Sequence, residues 1–585
     1  MPDHRSSGDI RSLTPPSAIP GLWKSLRWGF LLTLLYTLTG FLQPYRDAQI
    51  NSVLASNILS GKGLFLSWEQ MPDAFHWTLH ENHRETNVKI EIVDETVRQL
   101  IDSGHLLRGK PDYLIQPTQR VGYFASTFLP GPAIWGLPFL GLLYLFLGGF
   151  LDHSLLLALS GKLAAALAAA ASVVILHSTL LRHFSPATAR ATSITYAIAT
   201  CLFGVTSQLL MSHAPNTLLL VAGIEAYSRS QTNPRWAYGV GIFWAMAVWC
   251  RATSALMIIA LACWWTWNDR GRLGRMVLAG LPFAILLAIH NHHLYGSIWF
   301  FGELAQDESI AMIRGGGGVF QTPLAEGLTG LLISPARGLL IYSPVLGFGL
   351  IGLIITAMHQ RSRWILPLSL GILSIWVIQG LHFDWWGGWT FGYRPIVDTT
   401  AVLCLGLASI YESIQKRRST RWLYRGTWCW SVAMQIVGVL LYDLVGWNGR
   451  QYWQIPIGEG RTALYEPWDS SPPRENRDVK IIRMNIDQPE YRYRLWSIAD
   501  NPVTYYLTHP ISSLEMKMKL SIYTAWQPRF QLPETLGSLA EAYRKLGRPG
   551  RAISLLRQAV DLDPGNKERA SLLSEWQKPN ADLSQ

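Results

Sequence analysis

"YRDAQINSVLASNILSGKGL" runs from Tyr45 to Leu64, directly behind the first apolar stretch of the chain, and its reading decides the fold. From Ile50 the apolar residues Ile50, Val53, Leu54 and Ile58 form a stripe at helical spacing, which Gly61 and Gly63 end. The pattern predicts a short amphipathic helix lying on a membrane surface. Asp47 stands at its start, a place where Asp serves as a helix cap.

Composition agrees with a membrane setting. Of 585 residues 49% are hydrophobic and only 15% charged, with 26 Trp, against roughly 25% charged residues in a soluble domain. The net charge of +11 matches Lys and Arg gathered in cytoplasmic loops and gives no reason to invoke nucleic acid. All five cysteines (Cys201, Cys250, Cys263, Cys404, Cys429) lie in apolar stretches without a CxxC, so neither a disulfide framework nor a cysteine zinc site is indicated. Residues 1–27 read as a disordered cytoplasmic tail. No small-residue cleavage site follows the first apolar stretch, which therefore reads as an anchor.

Stretches able to span occur at 28–44, 154–181, 191–210, 276–294, 339–358, 364–381, 395–414 and 426–446. Residues 215–228 form a short one, and 235–267 a long one interrupted by Arg251. With the basic loops 182–190, 229–235, 269–275, 359–363 and 415–425 in the cytoplasm, 235–267 becomes two short spans with Arg251 at their outer hinge. Residues 129–149 then do not cross, and Pro130, Pro132 and Pro138 make them a bent or re-entrant segment. The expected fold is an all-α polytopic membrane protein of about eleven spans over 28–446. Its first outer loop is 45–128, and a small α-helical outer region follows the bundle, beginning with a globular or surface-lying segment at 447–532.

The chain resembles, over about 40–446, the GT-C fold glycosyltransferases that use polyprenyl-phosphate sugars, a class including protein O-mannosyltransferases and lipid A aminoarabinose transferases. The resemblance rests on the Asp47 helix, "STFLPGPAIWGLPF" (126–139), "LLISPARGLLIYSPVLG" (331–347) and "WWGGWTFGYR" (385–394), in that order. It implies a multi-pass protein of the plasma (inner) membrane with its active site outside the cytoplasm. The donor would be a polyprenyl-phosphate-linked sugar, the acceptor a glycan, lipid or protein hydroxyl, and the reaction inverting. Asp47 takes the role of general base, suited to removing the acceptor proton. Arg251, Arg337 and Arg394 become candidates for the donor phosphate, which guanidinium grips as a fork. Arg251 lies between apolar half-spans, where an arginine is functional or snorkels to the interface. Many relatives carry a Lys beside the Pro-rich turn, where this chain has Thr127, Phe128 and Leu129. They also carry a second carboxylate where "SHAPN" stands, making His213 and Asn216 substrate candidates, although His213 equally suits a structural hydrogen bond.

Other constellations compete. His76, His80 and His83 in "HWTLHENH" recur at helical spacing and leave a divalent cation open, against a solvated polar loop; no cofactor is certain. "RGGGGVF" (314–320) lacks the GK[ST] of a P-loop and reads as a lid. Glu303 precedes it as an acceptor contact. Asp384, Trp385, Trp386 and Trp389 offer sugar-binding faces, though tryptophan also furnishes interfacial belts. Residues 533–566 match a single tetratricopeptide unit through Leu536, Leu539, Ala540, Tyr543, Ala552, Ala559 and Pro564, leaving 567–585 as a tail. One repeat cannot bury its own face, so it docks on its neighbour or on a protein partner. Two other functional classes stand beside the transferase: a flippase of lipid-linked sugars, and an inactive scaffold presenting the repeat. A transporter usually shows internal repeats, and none is visible.

Overall fold

The computed structural model describes residues 22–40, 42, 46–67, 75–81, 84–90, 106–107, 114–120, 123–151, 153–304, 318–358, 364–444, 446–458, 461–465, 480–525, 537, 540–541, 544, 549–562 and 564–577. The chain starts with α1 (Leu22–Leu38) and α2 (Arg46–Leu59). The described residues that follow, up to Ser126, carry strands: β1 (Phe65–Leu66), β2 (His76–Glu81), β3 (Arg84–Lys89), β4 (Leu106–Leu107), β5 (Ile115–Pro117) and β6 (Phe124–Ser126). They make two antiparallel sheets, ordered β1-β6-β5 and β3-β2-β4. The helical spacing expected for the histidines is corrected here. His76 and His80 belong to β2, where ladder pairing with β3 overrides the spacing. His83 lies outside the described residues, among which no group of three His, Cys, Asp or Glu could hold a metal.

The bundle follows: α3 (Gly131–Leu147), α4 (His153–His183), α5 (Pro186–Ile198), α6 (His213–Ser230), α7 (Trp236–Cys250), α8 (Ala255–Asn268) and α9 (Arg270–Tyr295). Next come α10 (Leu324–Ile333), α11 (Leu339–Tyr342), α12 (Leu346–Met358), α13 (Leu366–Leu381), α14 (Thr400–Lys416) and α15 (Arg418–Leu440). Polar residues mark the starts: Ser185 accepts from Thr188 N at 3.4 Å, and Asp269 from Arg272 N at 2.9 Å. Three described helical segments, His153–His183, Arg270–Tyr295 and Arg394–Lys416, are long and apolar enough to cross a membrane by length and composition. Shorter apolar helices accompany them among the described residues.

Several expected spans are remodelled locally. Residues 339–358 break at Pro344 into α11 and α12, because proline cannot donate within a helix. Within 129–149, read above as a bent or re-entrant segment, Gly131–Leu147 form one helix with Pro138 inside. Helix α10 lies between the expected spans 276–294 and 339–358. At the end of α7 the chain turns extended at Arg251 (φ −157°, ψ 120°) before α8 begins. Helices α12 and α14 meet backbone to backbone: a Cβ on Gly352 would lie 1.9 Å from Gly406 O, so any larger residue forces them apart.

Beyond the bundle, the expected α-helical outer region contains instead a three-stranded antiparallel sheet, β8-β7-β9, from β7 (Gly449–Gly458), β8 (Arg461–Tyr465) and β9 (Lys480–Asn485). Aromatic and β-branched residues such as Tyr452, Trp453, Ile455 and Ile481 favour strands. Helices α16 (Pro502–Thr508) and α17 (Pro510–Ala525) return to the bundle. Finally α18 (Pro549–Leu562) and α19 (Lys567–Trp576) pair over Ala540, Ala552, Leu555, Leu556 and Ala559. Residues 567–576 are thus a covering helix rather than a tail: Leu572, Leu573 and Trp576 shield the apolar face that one repeat cannot bury alone.

Candidate active site

Two acid–guanidinium pairs meet where α2, α6, α7 and the start of α14 converge. The first joins residues 347 positions apart: Arg394 Nη1 reaches Asp47 Oδ2 at 3.4 Å, with 15% and 16% of the side chains exposed. Asp47 lies in the first turn of α2, where a carboxylate is favoured by the helix dipole. Asn51, one turn on, donates to Asp47 O at 2.8 Å and to Leu210 O at 2.9 Å, fastening α2 to the chain before α6. Arg394 is aimed by its second Nη, which donates to Gly387 O at 2.8 Å. Gly387 and Gly388 take left-handed φ of 74° and 65°, a conformation other residues enter at a cost. This backbone need, together with the aim of Arg394, accounts for the glycines of the tryptophan-rich loop.

The second pair is more enclosed. Asp398 Oδ2 lies 2.9 Å from Arg251 Nη1 and 3.0 Å from His213 Nδ1, while Oδ1 accepts from Thr217 at 2.9 Å. Arg251 Nη1 is also 2.9 Å from His213 Nδ1. A buried carboxylate with one guanidinium and two further polar partners is well compensated. Ser254 donates to Asn216 Oδ1 at 2.7 Å, and the buried Asn216 Nδ2 has no partner among the described residues. Asp398 went unnoticed in the sequence. It stands inside an apolar stretch four residues after Arg394, and that placement of a carboxylate was the available signal.

Other expected site residues take different places. Arg337 is fully buried, and its Nη groups donate to Ala336 O, Gly388 O and Asn448 Oδ1 at 2.9, 3.1 and 2.7 Å. It braces the tryptophan loop instead of presenting donors to a phosphate. Trp385 and Trp386 are 1% and 2% exposed, pack edge to face, and therefore cannot offer ring faces to a sugar. Trp389 is half-buried and donates to Asn485 Oδ1 at 3.2 Å. Asp384 caps the same turn, accepting from Gly388 N at 2.9 Å. Glu303 follows Gly302, which packs on the Thr127 backbone. Residues 314–317 of the glycine run lie outside the described set.

Two buried lysines adjoin the cluster and were not anticipated. Lys162 Nζ donates to Thr39 O at 2.8 Å and to Gln208 Oε1, closing the end of α1. Lys517, from α17, donates to Val439 O at 2.5 Å, closing the end of α15. Cations belong at helix C-termini. A cavity of about 20 Å3, lined by Gln208, Met211, Thr390 and Lys517, connects them with the Arg394 neighbourhood. Outside the bundle, burial alone would raise the Asp500 carboxyl, but Arg494 and Arg450 hold it below its ordinary value.

Residues 535–568 match the family model of the tetratricopeptide repeat. The chain is also similar to the crystal structure of ArnT from Cupriavidus metallidurans bound to undecaprenyl phosphate. The identity is 11%, covering 92% of this chain and 80% of that one, with a TM-score of 0.43. The apo state of the same ArnT matches at 11% identity over 92% and 79%, with a TM-score of 0.38. None of the curated proteins matches the chain.

Proposed function

We propose that this protein is an integral-membrane glycosyltransferase that moves a sugar from a polyprenyl phosphate to an acceptor hydroxyl outside the cytoplasm, with inversion. The observation that carries the reading is the Asp47–Arg394 contact beside the Arg251–Asp398–His213 cluster. One base and two guanidiniums are what a single displacement from a lipid phosphate needs. The acceptor oxygen bonds to the anomeric carbon, and its proton passes to Asp47. The bond from that carbon to the phosphate oxygen breaks, its electron pair leaving with the polyprenyl phosphate. Arg394 and Arg251 neutralise that anion, while Asp398 and Thr217 keep Arg251 and His213 in position. The motif resemblance over 40–446 supports the same assignment.

Asp47→Asn tests it. Asn caps a helix about as well as Asp but accepts no proton, so transfer from a polyprenyl-phosphate sugar should fall by roughly 10²–10⁴. The purified variant should still bind donor and melt near the wild-type temperature. Normal transfer by such a folded variant would end the proposal for Asp47.

A further inference from the structure

We propose that the opposite end of the bundle binds a zwitterionic headgroup, a phosphodiester carrying a primary ammonium, as in a lipid of the phosphatidylethanolamine class. The site is a cavity of about 380 Å3 between the α4–α5 turn and α14, lined by Arg182, His183, Ser185, Thr188, Ser409 and Glu412. Lys162, on the same helix α4, bonds to the end of α1 near the catalytic cluster. About twenty residues of α-helix separate Lys162 from Arg182, a rise of about 30 Å. That is the thickness of a bilayer's hydrocarbon core, so the cavity falls in the other headgroup layer. The inference uses the membrane reading and makes no use of the transferase chemistry.

Two charges of opposite sign face this cavity without bonding to each other. Arg182 gives Nε to Glu225 at 3.0 Å, and its Nη groups have no partner among the described residues. Glu412, exposed on α14, makes no hydrogen bond or ion pair among them either. The wall around Arg182 is fixed. Glu225 also accepts from Arg229 at 2.7 Å and Thr179 at 2.8 Å, and His183 bonds to Ser228 at 2.7 Å while stacking on Trp364. A ligand with a phosphate for Arg182 and an ammonium for Glu412 satisfies both charges, whereas a simple anion would leave the carboxylate facing it. Leu181, on the same turn as Arg182, is 46% exposed and offers apolar surface to an acyl chain.

The test uses the purified full chain, stripped of lipid in mild detergent. Native mass spectrometry follows retention of phosphatidylethanolamine, phosphatidylglycerol and soluble glycerophosphoethanolamine. Phosphatidylethanolamine should be held about twofold to fivefold more tightly than phosphatidylglycerol, the range expected of one partly exposed charge contact. Glu412→Gln, a change at an exposed side chain, should remove that preference with the melting temperature unaltered. Arg182→Gln should weaken both lipids. Equal retention of the two lipids by the wild type, or an intact preference in Glu412→Gln, would overturn the proposal. Soluble glycerophosphoethanolamine binding as tightly as the lipid would overturn the bilayer as the source of the ligand.

Discussion

Asp398→Asn isolates the part of the site that the sequence did not announce. The carboxylate makes three contacts of 2.9 to 3.0 Å, with Arg251, His213 and Thr217. Hydrogen bonds to charged groups are worth about 1.5–3 kcal/mol each. The amide can keep the Thr217 contact, so two are lost, giving roughly 3–6 kcal/mol. Breaking a buried pair costs about 3–5 kcal/mol. Arg251 retains 15% side-chain exposure, so water offsets part of the loss. The expected destabilisation is therefore about 3 kcal/mol. Denaturant titration in detergent, followed by tryptophan fluorescence, compares Asp398→Asn, Arg251→Met and the double variant. If Arg251→Met costs a similar amount, about 3 kcal/mol, a coupling of about 2 kcal/mol leaves the double variant about 4 kcal/mol less stable than wild type instead of about 6. A double variant as unstable as the two single losses added would refute the pair as the organising contact, and so would an Asp398→Asn protein as stable as wild type.

Gly387→Ala should lower transfer more than stability, because a Cβ there would lie 2.6 Å from Pro395 Cγ and displace the carbonyl that aims Arg394; equal kcat and KM in the variant would count against that aim. Lys517 is pushed down to about 7 by burial first, then by the Lys162 ammonium, against a smaller opposing pull from Asp443. An unfolded lysine keeps its proton up to roughly pH 10.4, so between about pH 7 and 10.4 the unfolded chain binds more protons and stability should rise with pH. Lys517→Met should flatten that slope, and an unchanged slope would show that other groups produce it. Trp576→Ala should loosen α18 and α19 by about 2 kcal/mol, since the ring packs on the repeat and under Arg544 at 4.6 Å. Limited proteolysis should then cut within 549–577 while the bundle stays intact; resistance equal to wild type would show that α19 is not the cover.

The sequence by itself determined the membrane class, the amphipathic helix after the first apolar stretch and the tetratricopeptide unit. These are periodic signals: Ile50, Val53, Leu54 and Ile58 share one helical face, and Ala552 and Ala559 occupy spaced packing positions whatever lies around them. It also singled out Arg251 as a charge between apolar half-spans, and Asp47 and Arg394 through the motif resemblance. Only the tertiary structure decided which charges meet. Asp398 reads as a stray acid in an apolar run until folding brings α6 and α7 against it, 185 residues from His213 and 147 from Arg251. Arg337, Trp385 and Trp386 carry the chemistry of binding residues, yet packing buries them as braces and core. His76 and His80 keep helical spacing, yet β3 pairs with them as a strand. A residue type states what a side chain is able to do. Its partners come from long-range contacts that no local pattern encodes, and burial and pairing then select which of those abilities is used.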